Sequence, residues 1–159
     1  MIITTWNCNL KLKSKYEYIE SLDSDILIIQ ECEKLKQDYF SNNQYFWTGR
    51  DENKGLGVLV KKDTANVSKL HNPNFIHFLP IETDSLNIMG VWAFNHRAVK
   101  YGDNANGRTL DAINYYDVWL KDSQKSIFAG DFNNSIIWDK KSNPSFSNIN
   151  NELSLLGYE

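Results

Sequence analysis

The chain has 159 residues, of which 42% are hydrophobic and 13% aromatic, and its formal net charge is −3. This length and composition exclude a disordered chain and predict one hydrophobic core, in a single domain that spans residues 1–159. The slight negative charge argues against a broad basic surface that coats nucleic acid, although a bound divalent cation would supply positive charge that a residue count omits.

The sequence contains no segment that is typical of export or of membrane insertion. The first residues, MIITTWNCN, lack a basic stretch followed by an apolar segment, and no apolar run is long enough to span a bilayer. Cys8 and Cys32 are expected to be reduced and buried, because nothing points to an oxidising compartment. We therefore predict a cytoplasmic protein with no membrane partner.

The first half of the chain predicts strands that alternate with short helices and turns. Turn-prone stretches such as DENKG and HNPN separate the later strands. Predicted helices run from Lys13 to Leu22 and from Leu35 to Phe40. Predicted strands are Ile2 to Trp6, Asp25 to Gln30, Tyr45 to Thr48, Gly57 to Lys61, Asn66 to Leu70 and Phe75 to Leu79.

The second half predicts two strands and two helices. The strands are Leu86 to Phe94 and Ser126 to Ala129, and the first helix is Leu110 to Leu120. The last helix is predicted over Ser147 to Leu156, with Ser147 as its N-cap and Gly157 as its end. Strands with interspersed helices and hairpins indicate an α+β fold, with one mixed sheet or two sheets covered by helices.

Three predicted strands share one feature, an apolar run that becomes polar at its carboxyl end. They are the segments ITTWNCN, DILIIQE and SIFAGDFN, whose first polar residues after the apolar run include Asn7, Glu31 and Asp131. Because residues two apart on a strand face the same side, Asn9 is expected to join Asn7, and Asn133 to join Asp131. If these strands are neighbours, three amides and two carboxylates meet at one edge, which is where open sheets commonly form pockets.

This set of side chains suits hydrolysis at phosphorus. Mg²⁺ prefers oxygen ligands and often uses only one or two protein carboxylates. A second carboxylate can orient or deprotonate a water, and amides can donate to phosphoryl oxygens. The scarcity of histidine and cysteine near these positions argues against zinc. Each residue also has a structural explanation, because Asn and Asp at strand ends often form turns, and spacing alone leaves both interpretations open.

The motifs WNCN, IIQEC, NKGLGVLV and AGDFNNS, in this order, resemble the endonuclease/exonuclease/phosphatase superfamily, which contains exonuclease III and DNase I. NKGLGV and IIQECE look closer to a bacterial subgroup of this superfamily than to its well-studied nucleases. The resemblance implies a DNase I-like four-layer sandwich, in which two stacked mixed β-sheets are flanked by helices. It also implies cleavage of phosphoesters that depends on a divalent metal, Mg²⁺ or Mn²⁺.

The resemblance implies a role for each residue at the strand ends. Glu31 would bind the metal, and Asn7 would lie beside the metal or the phosphate. Asn9 would be a neighbouring substrate contact. Asp131 would align the nucleophilic water, or serve the leaving group or a second metal, and Asn133 would donate a hydrogen bond to the phosphate.

One further residue and one departure concern the later part of the chain. Tyr101, in VKYGDN, falls where many members have a phosphate-contacting tyrosine, although a loop aromatic that covers the core fits equally well. Members continue into further strands and a terminal Asp-His pair that contacts the scissile phosphate, and this sequence contains no Asp-His pair. We therefore expect the last strands to be lacking, with an exposed sheet edge that favours association.

Three explanations of the missing Asp-His segment stay open, and we rank them in the following order. The chain is a fragment of a longer protein, a naturally truncated and inactive member, or a domain that a partner completes. The leading functional hypothesis is a Mg²⁺-dependent phosphodiesterase, nuclease or phosphatase, with nucleic acid among its candidate substrates. The alternative is a non-catalytic module that binds phosphate or nucleotide and keeps the fold without the histidine.

Overall fold

The computed structural model describes residues 1–41, 43–61, 64–84, 86–93, 108–122, 125–141 and 144–158. Within them, the strands form two four-stranded sheets. The first sheet has the order β1-β2-β4-β3 and the second the order β5-β6-β7-β8. The strands are β1 (Ile3–Asn7), β2 (Ile26–Cys32), β3 (Gln44–Asp51), β4 (Lys54–Val60), β5 (Ala65–Val67), β6 (Phe78–Thr83), β7 (Asn87–Trp92) and β8 (Ser126–Asp131).

Helices lie outside the two sheets. The α-helices are α1 (Tyr16–Ser21), α2 (Thr109–Asp122) and α3 (Ser145–Leu155). Short 3-10 helices cover Leu12–Lys15, Gln37–Phe40 and Ile136–Trp138. None of the helices in the described ranges is both long enough and apolar enough to cross a membrane.

Both sheets are mixed, and they stack face to face. β1 pairs with β2 in parallel, and β7 pairs with β8 in parallel, whereas the other neighbours are antiparallel. β1 and β2 pack against β8, and β2 and β4 pack against β7. The predicted α+β fold with two stacked mixed sheets is therefore confirmed.

The hydrophobic residues form a central core between the sheets and an outer core on each side. The alternation of β2 shows why: Ile26 and Ile28 lie in the central core, whereas Leu27 and Ile29 pack against the α1 side. All four are fully buried, and each contributes about 1.5–3 kcal/mol of apolar burial. On the other side, α2 covers the second sheet with residues such as Tyr116.

Two predicted strands each include three residues that lie outside the observed strands. The segment predicted as a strand from Phe75 to Leu79 is a turn until His77, and the strand begins only at Phe78. Backbone hydrogen bonds from Phe75 to Asn72 and from Phe78 to Phe75 hold this turn. The prediction was wrong because Phe75 is buried as part of a turn that packs on α2, and burial alone does not distinguish a turn from a strand. The strand predicted from Asn66 to Leu70 ends at Val67.

The N-terminus of the last helix also differs from the prediction. The helix begins at Ser145, so Ser147 is not its N-cap. The carboxylate of Asp139 accepts hydrogen bonds from the backbone N–H groups of Phe146 and Ser147, at 2.7 and 3.0 Å. A side chain from the preceding loop therefore satisfies the free donors of the first turn. Gly157, with φ of 87°, follows the helix end as predicted.

Candidate active site at one end of the sandwich

The carboxyl ends of four strands define one end of the sandwich. In the first sheet Asn7 lies opposite Gln30, and in the second sheet Trp92 lies opposite Asp131. Ile3 and Ala129 pack in the central core, and strand alternation places Asn7 and Asp131 on the same faces as these residues. Both polar side chains therefore belong to the inward faces of the two sheets, at the ends of their strands.

Lys54, the first residue of β4, connects the two sheets at this end. Its Nζ lies 2.9 Å from Oε2 of Glu31 in the first sheet and 5.3 Å from the ring centroid of Trp92 in the second. Because Trp92 is the strand neighbour of Asp131, this contact places Glu31 and Asp131 at the same end of the molecule. The two predicted carboxylates thus come from different sheets and from positions 100 apart in the sequence.

β1 and β8 end in the same local structure. The side-chain Oδ1 of Asn7 accepts the backbone N–H of Asn9 at 3.0 Å, and Oδ1 of Asp131 accepts that of Asn133 at 3.0 Å. Asn9 and Asn133 have positive φ values of 48° and 44°. The expectation that they continue the strand faces is therefore wrong, because the left-handed conformation turns the chain out of the strand. The turns predicted as the structural alternative are present at both ends.

The turn at Asn7 determines what its side chain can offer. A backbone N–H can only donate, so the atom that accepts from Asn9 is the side-chain oxygen of Asn7. The Nδ2 group then supplies two N–H donors from an exposed residue. Such a group is suited to hydrogen-bond an anion.

Glu31 occupies a β-bulge, which the sequence did not indicate. The register between β2 and β4 shifts between Gln30 and Cys32, and Glu31 has a positive φ of 56°. Its carbonyl oxygen accepts the N–H of Leu10 at 2.8 Å and the thiol of Cys8 at 3.2 Å. A bulge redirects a side chain out of the strand alternation. The Glu31 side chain is 22% exposed, so the carboxylate is partly withdrawn from water.

Two buried residues, Gln30 and Cys8, pack beneath the polar end of the first sheet. Gln30 donates from Nε2 to Oγ1 of Thr5 at 2.9 Å and to the carbonyl of Ile28 at 3.2 Å, which fixes β1 against β2. Burial raises the pKa of the Cys8 thiol to about 11. This thiol therefore stays protonated at neutral pH and is a poor metal ligand.

The donor chemistry of this end fits a hard divalent cation. The two carboxylates predicted for the site, Glu31 and Asp131, lie at this end, and over the described ranges no group of three or more His, Cys, Asp or Glu residues could hold a metal. Mg²⁺ accepts such a sparse set of oxygen ligands because it retains several waters, whereas a structural zinc site requires four protein ligands. Oε2 of Glu31 already contacts Lys54, so a cation that binds Glu31 must lie close to this ammonium group or displace it.

Two residues at this end were missed by sequence reasoning, and one predicted residue lies elsewhere. Lys54 and Trp92 were not selected as site residues, although Lys54 stands directly before the apolar run GLGV. A charged residue at the start of a strand is common, so this signal was not distinctive. Tyr101 lies outside the described residues.

No protein-family model matches the chain, and no curated protein matches it. The structure of a 3'-5' exonuclease (NExo) from Neisseria meningitidis matches with a TM-score of 0.68 and 18% identity, over 96% of this chain and 71% of that chain.

Two further structures match with similar scores. A structure of the 3' phosphatase NExo from Neisseria, bound to product DNA hairpin, has a TM-score of 0.67 and 16% identity, over 94% of this chain and 70% of that chain. The endonuclease domain of TRAS1, a telomere-specific non-LTR retrotransposon, has a TM-score of 0.63 and 16% identity, over 98% and 71%. The chain therefore has the DNase I-like fold of these nuclease and phosphatase structures, as its resemblance to the endonuclease/exonuclease/phosphatase superfamily implied.

Proposed function

We propose that the protein is a divalent-metal-dependent phosphoester hydrolase whose active site is the end of the sandwich around Glu31 and Asp131. One observation carries the proposal: Lys54 contacts Glu31 and also lies over Trp92, the strand neighbour of Asp131. The carboxylates of Glu31 and Asp131 thus belong to the same end of the sandwich, together with the amide of Asn7 at the end of β1. This combination suits a phosphoryl group with its attacking water better than a purely structural role.

In this proposal Glu31 holds the cation, Mg²⁺ or Mn²⁺, with Asn7 beside it. When bound, the cation supplies positive charge to a phosphoryl oxygen. The Nδ2 group of Asn7 and the side chain of Asn133 donate hydrogen bonds to the phosphoryl oxygens as negative charge develops. Asn9 contacts the substrate in this scheme, and Tyr101 contacts its phosphate.

Asp131 is the proposed base. Its Oδ1 accepts the N–H of Asn133, which fixes the carboxylate at the end of β8. Oδ2 is then the atom to accept a proton from the attacking water, or to orient that water toward phosphorus. Because Asp131 and Glu31 belong to different sheets, one carboxylate can serve the water while the other serves the cation.

We propose nucleic acid as the first substrate class to test. The printed description of one matching structure is a 3' phosphatase bound to a product DNA hairpin. The likeness of the fold supports a phosphoester substrate of that kind. The net charge of −3 fits a protein that binds one phosphate group through a cation better than one that coats a long duplex.

The test measures hydrolysis of labelled DNA oligonucleotides and of bis(p-nitrophenyl) phosphate with Mg²⁺, with Mn²⁺ and with EDTA. We expect metal-dependent turnover that falls about 100-fold or more in Glu31→Gln and Asp131→Asn, because each substitution removes a charge that contacts the reacting groups. Glu52→Gln is the matched control, since Glu52 also pairs with a lysine but lies on the surface. Turnover that survives both site substitutions would refute the assignment.

A second candidate function is favoured by the same lysine. Nζ of Lys54 lies 2.9 Å from Oε2 of Glu31, so the site contains a positively charged side chain. The site can therefore bind an anion without a metal ion. The protein would then be a non-catalytic module that binds phosphate or nucleotide. Calorimetric binding of phosphate or a mononucleotide without turnover supports this alternative.

A further inference from the structure

We propose that Lys54 sets the divalent-cation affinity of the site by competing with the cation for the Glu31 carboxylate. The inference rests on the proposed function, because it concerns the regulation of the same site. Lys54 is a positioning residue in this scheme: it keeps Glu31 in place before a cation binds, and a cation has to displace it.

Lys54 is held from two directions, which makes the competition specific. Its Nζ lies 2.9 Å from Oε2 of Glu31, and the same ammonium lies 5.3 Å from the ring centroid of Trp92. The next residue, Gly55, is the strand partner of Cys32, so Lys54 stands beside the bulge that carries Glu31. The ammonium therefore occupies a defined position between a carboxylate and an aromatic face, both of which attract cations.

A second lysine provides a natural comparison within the chain. Lys34 lies 2.8 Å from the carboxylate of Glu52 and 5.9 Å from the ring centroid of Trp47, so it makes the same two kinds of contact. The Lys34 and Glu52 side chains are 52% and 76% exposed, against 42% for Lys54 and 22% for Glu31. Interactions between charges strengthen as exposure to water falls, so the ion pair at the site is the stronger of the two.

Because Glu31 is half-buried, the Lys54 ammonium and a divalent cation cannot both contact its Oε2 atom. A divalent ion that binds Oε2 would lie within a few ångströms of Nζ, and two positive charges at that separation repel each other. A cation that binds Oε2 therefore displaces the lysine from Glu31 and from the Trp92 ring. Removing the ammonium while keeping the aliphatic stem should tighten metal binding.

The test is isothermal titration calorimetry with Mn²⁺ and with Mg²⁺, in the absence of substrate. Lys54→Met keeps the length of the side chain and removes its charge, and Lys34→Met is the matched control. We expect Lys54→Met to bind Mn²⁺ about five- to tenfold more tightly than the wild type, and Lys34→Met to differ by less than about twofold. Equal or weaker binding by Lys54→Met overturns the inference, as does an equal gain in both variants or the absence of binding in all three proteins.

A second measurement reports the displacement itself. The indole N–H resonance of Trp92, assigned by its loss in Trp92→Phe, should shift when Mg²⁺ is added to the wild type, because the ammonium leaves the ring. The shift should be smaller in Lys54→Met. The resonance of Trp119, whose indole N–H donates to Glu82 at the opposite end of the second sheet, should stay unchanged in both proteins. Equal Trp92 shifts in the two proteins would contradict the displacement.

The two proposals can fail separately. Metal binding that tightens in Lys54→Met, together with no hydrolysis of any phosphoester, would leave this inference standing and refute the enzymatic function. Hydrolysis that depends on Glu31, together with unchanged metal affinity in Lys54→Met, would do the reverse.

Discussion

The positive φ of Glu31 predicts an unusual order of stability for two substitutions. Glu31→Ala and Glu31→Gly both delete the carboxylate and its contact with Lys54, so this loss is common to them. They differ in the backbone, because φ is 56° at this position and only glycine adopts that conformation at no steric cost. We therefore expect Glu31→Gly to be the more stable variant, the opposite of the usual preference for alanine in strands.

The size of the difference follows from two opposing terms. A non-glycine residue in the left-handed region costs about 1–2 kcal/mol, which Glu31→Gly recovers and Glu31→Ala does not. Glycine also makes the unfolded chain more flexible, which costs roughly 0.4–1 kcal/mol relative to alanine. The midpoints of these two ranges leave a net advantage for Glu31→Gly of about 0.8 kcal/mol, or roughly 2–3 °C in Tm for a domain of this size.

Urea unfolding followed by tryptophan fluorescence measures this difference. The control pair is Glu52→Ala and Glu52→Gly, because Glu52 also pairs with a lysine but has no positive φ. There the alanine variant should be the more stable one. If Glu31→Ala is as stable as Glu31→Gly or more so, the bulge is not strained and the reasoning fails. Both Glu31 variants should lose cation binding, so strain and proposed function can be measured separately.

Three other predictions use residues on different elements. Asp131→Asn should keep Tm within about 2 °C, because an amide oxygen can still accept the N–H of Asn133. Hydrolysis should fall about 100-fold, because the carboxylate that serves as the proposed base is lost. A similar loss of Tm in Asp131→Asn and Asp131→Ala would contradict this prediction. Burial raises the pKa of Tyr116 to about 12, above its ordinary value of 10.0. The contribution of the neutral side chain to the free energy of unfolding is therefore complete below pH 10 and is lost as the pH rises toward 12. The free energy of unfolding should therefore fall less steeply above pH 10 in Tyr116→Phe than in the wild type, and parallel curves from urea titrations would refute it. Gly55→Ala should lower the free energy of unfolding by about 2 kcal/mol or more, because the added Cβ would overlap the backbone carbonyl of Thr48; an unchanged urea midpoint would show that the strand can move.

The fold class and the positions of the main strands could be predicted from the amino-acid pattern alone. Apolar runs such as Ile26 to Ile29 can only be buried on both faces, and such a strand requires layers on both sides. The pattern also located the polar ends of three strands, at Asn7, Glu31 and Asp131, because the change from apolar to polar residues is a local signal. Gly157 marked the end of the last helix for the same reason.

Contacts between distant segments limited the prediction of local structure. Asp139 caps the last helix from the preceding loop, so a serine within the helix was the better candidate on sequence alone. Phe75 is buried by packing against α2, which is far away in sequence, and a buried aromatic near a strand reads as part of that strand.

The arrangement of the strand ends into a candidate site depends on the packing of the two sheets. Nothing in the sequence indicated that Glu31 lies in a bulge with positive φ, because a bulge depends on the pairing of β2 with β4. Nor could the sequence place Lys54 between Glu31 and Trp92, since the three residues come from three strands in two sheets. The types of side chain are a property of the local sequence, whereas their mutual distances depend on how the sheets stack, and it is these distances that place an ammonium group on the carboxylate proposed to bind the metal.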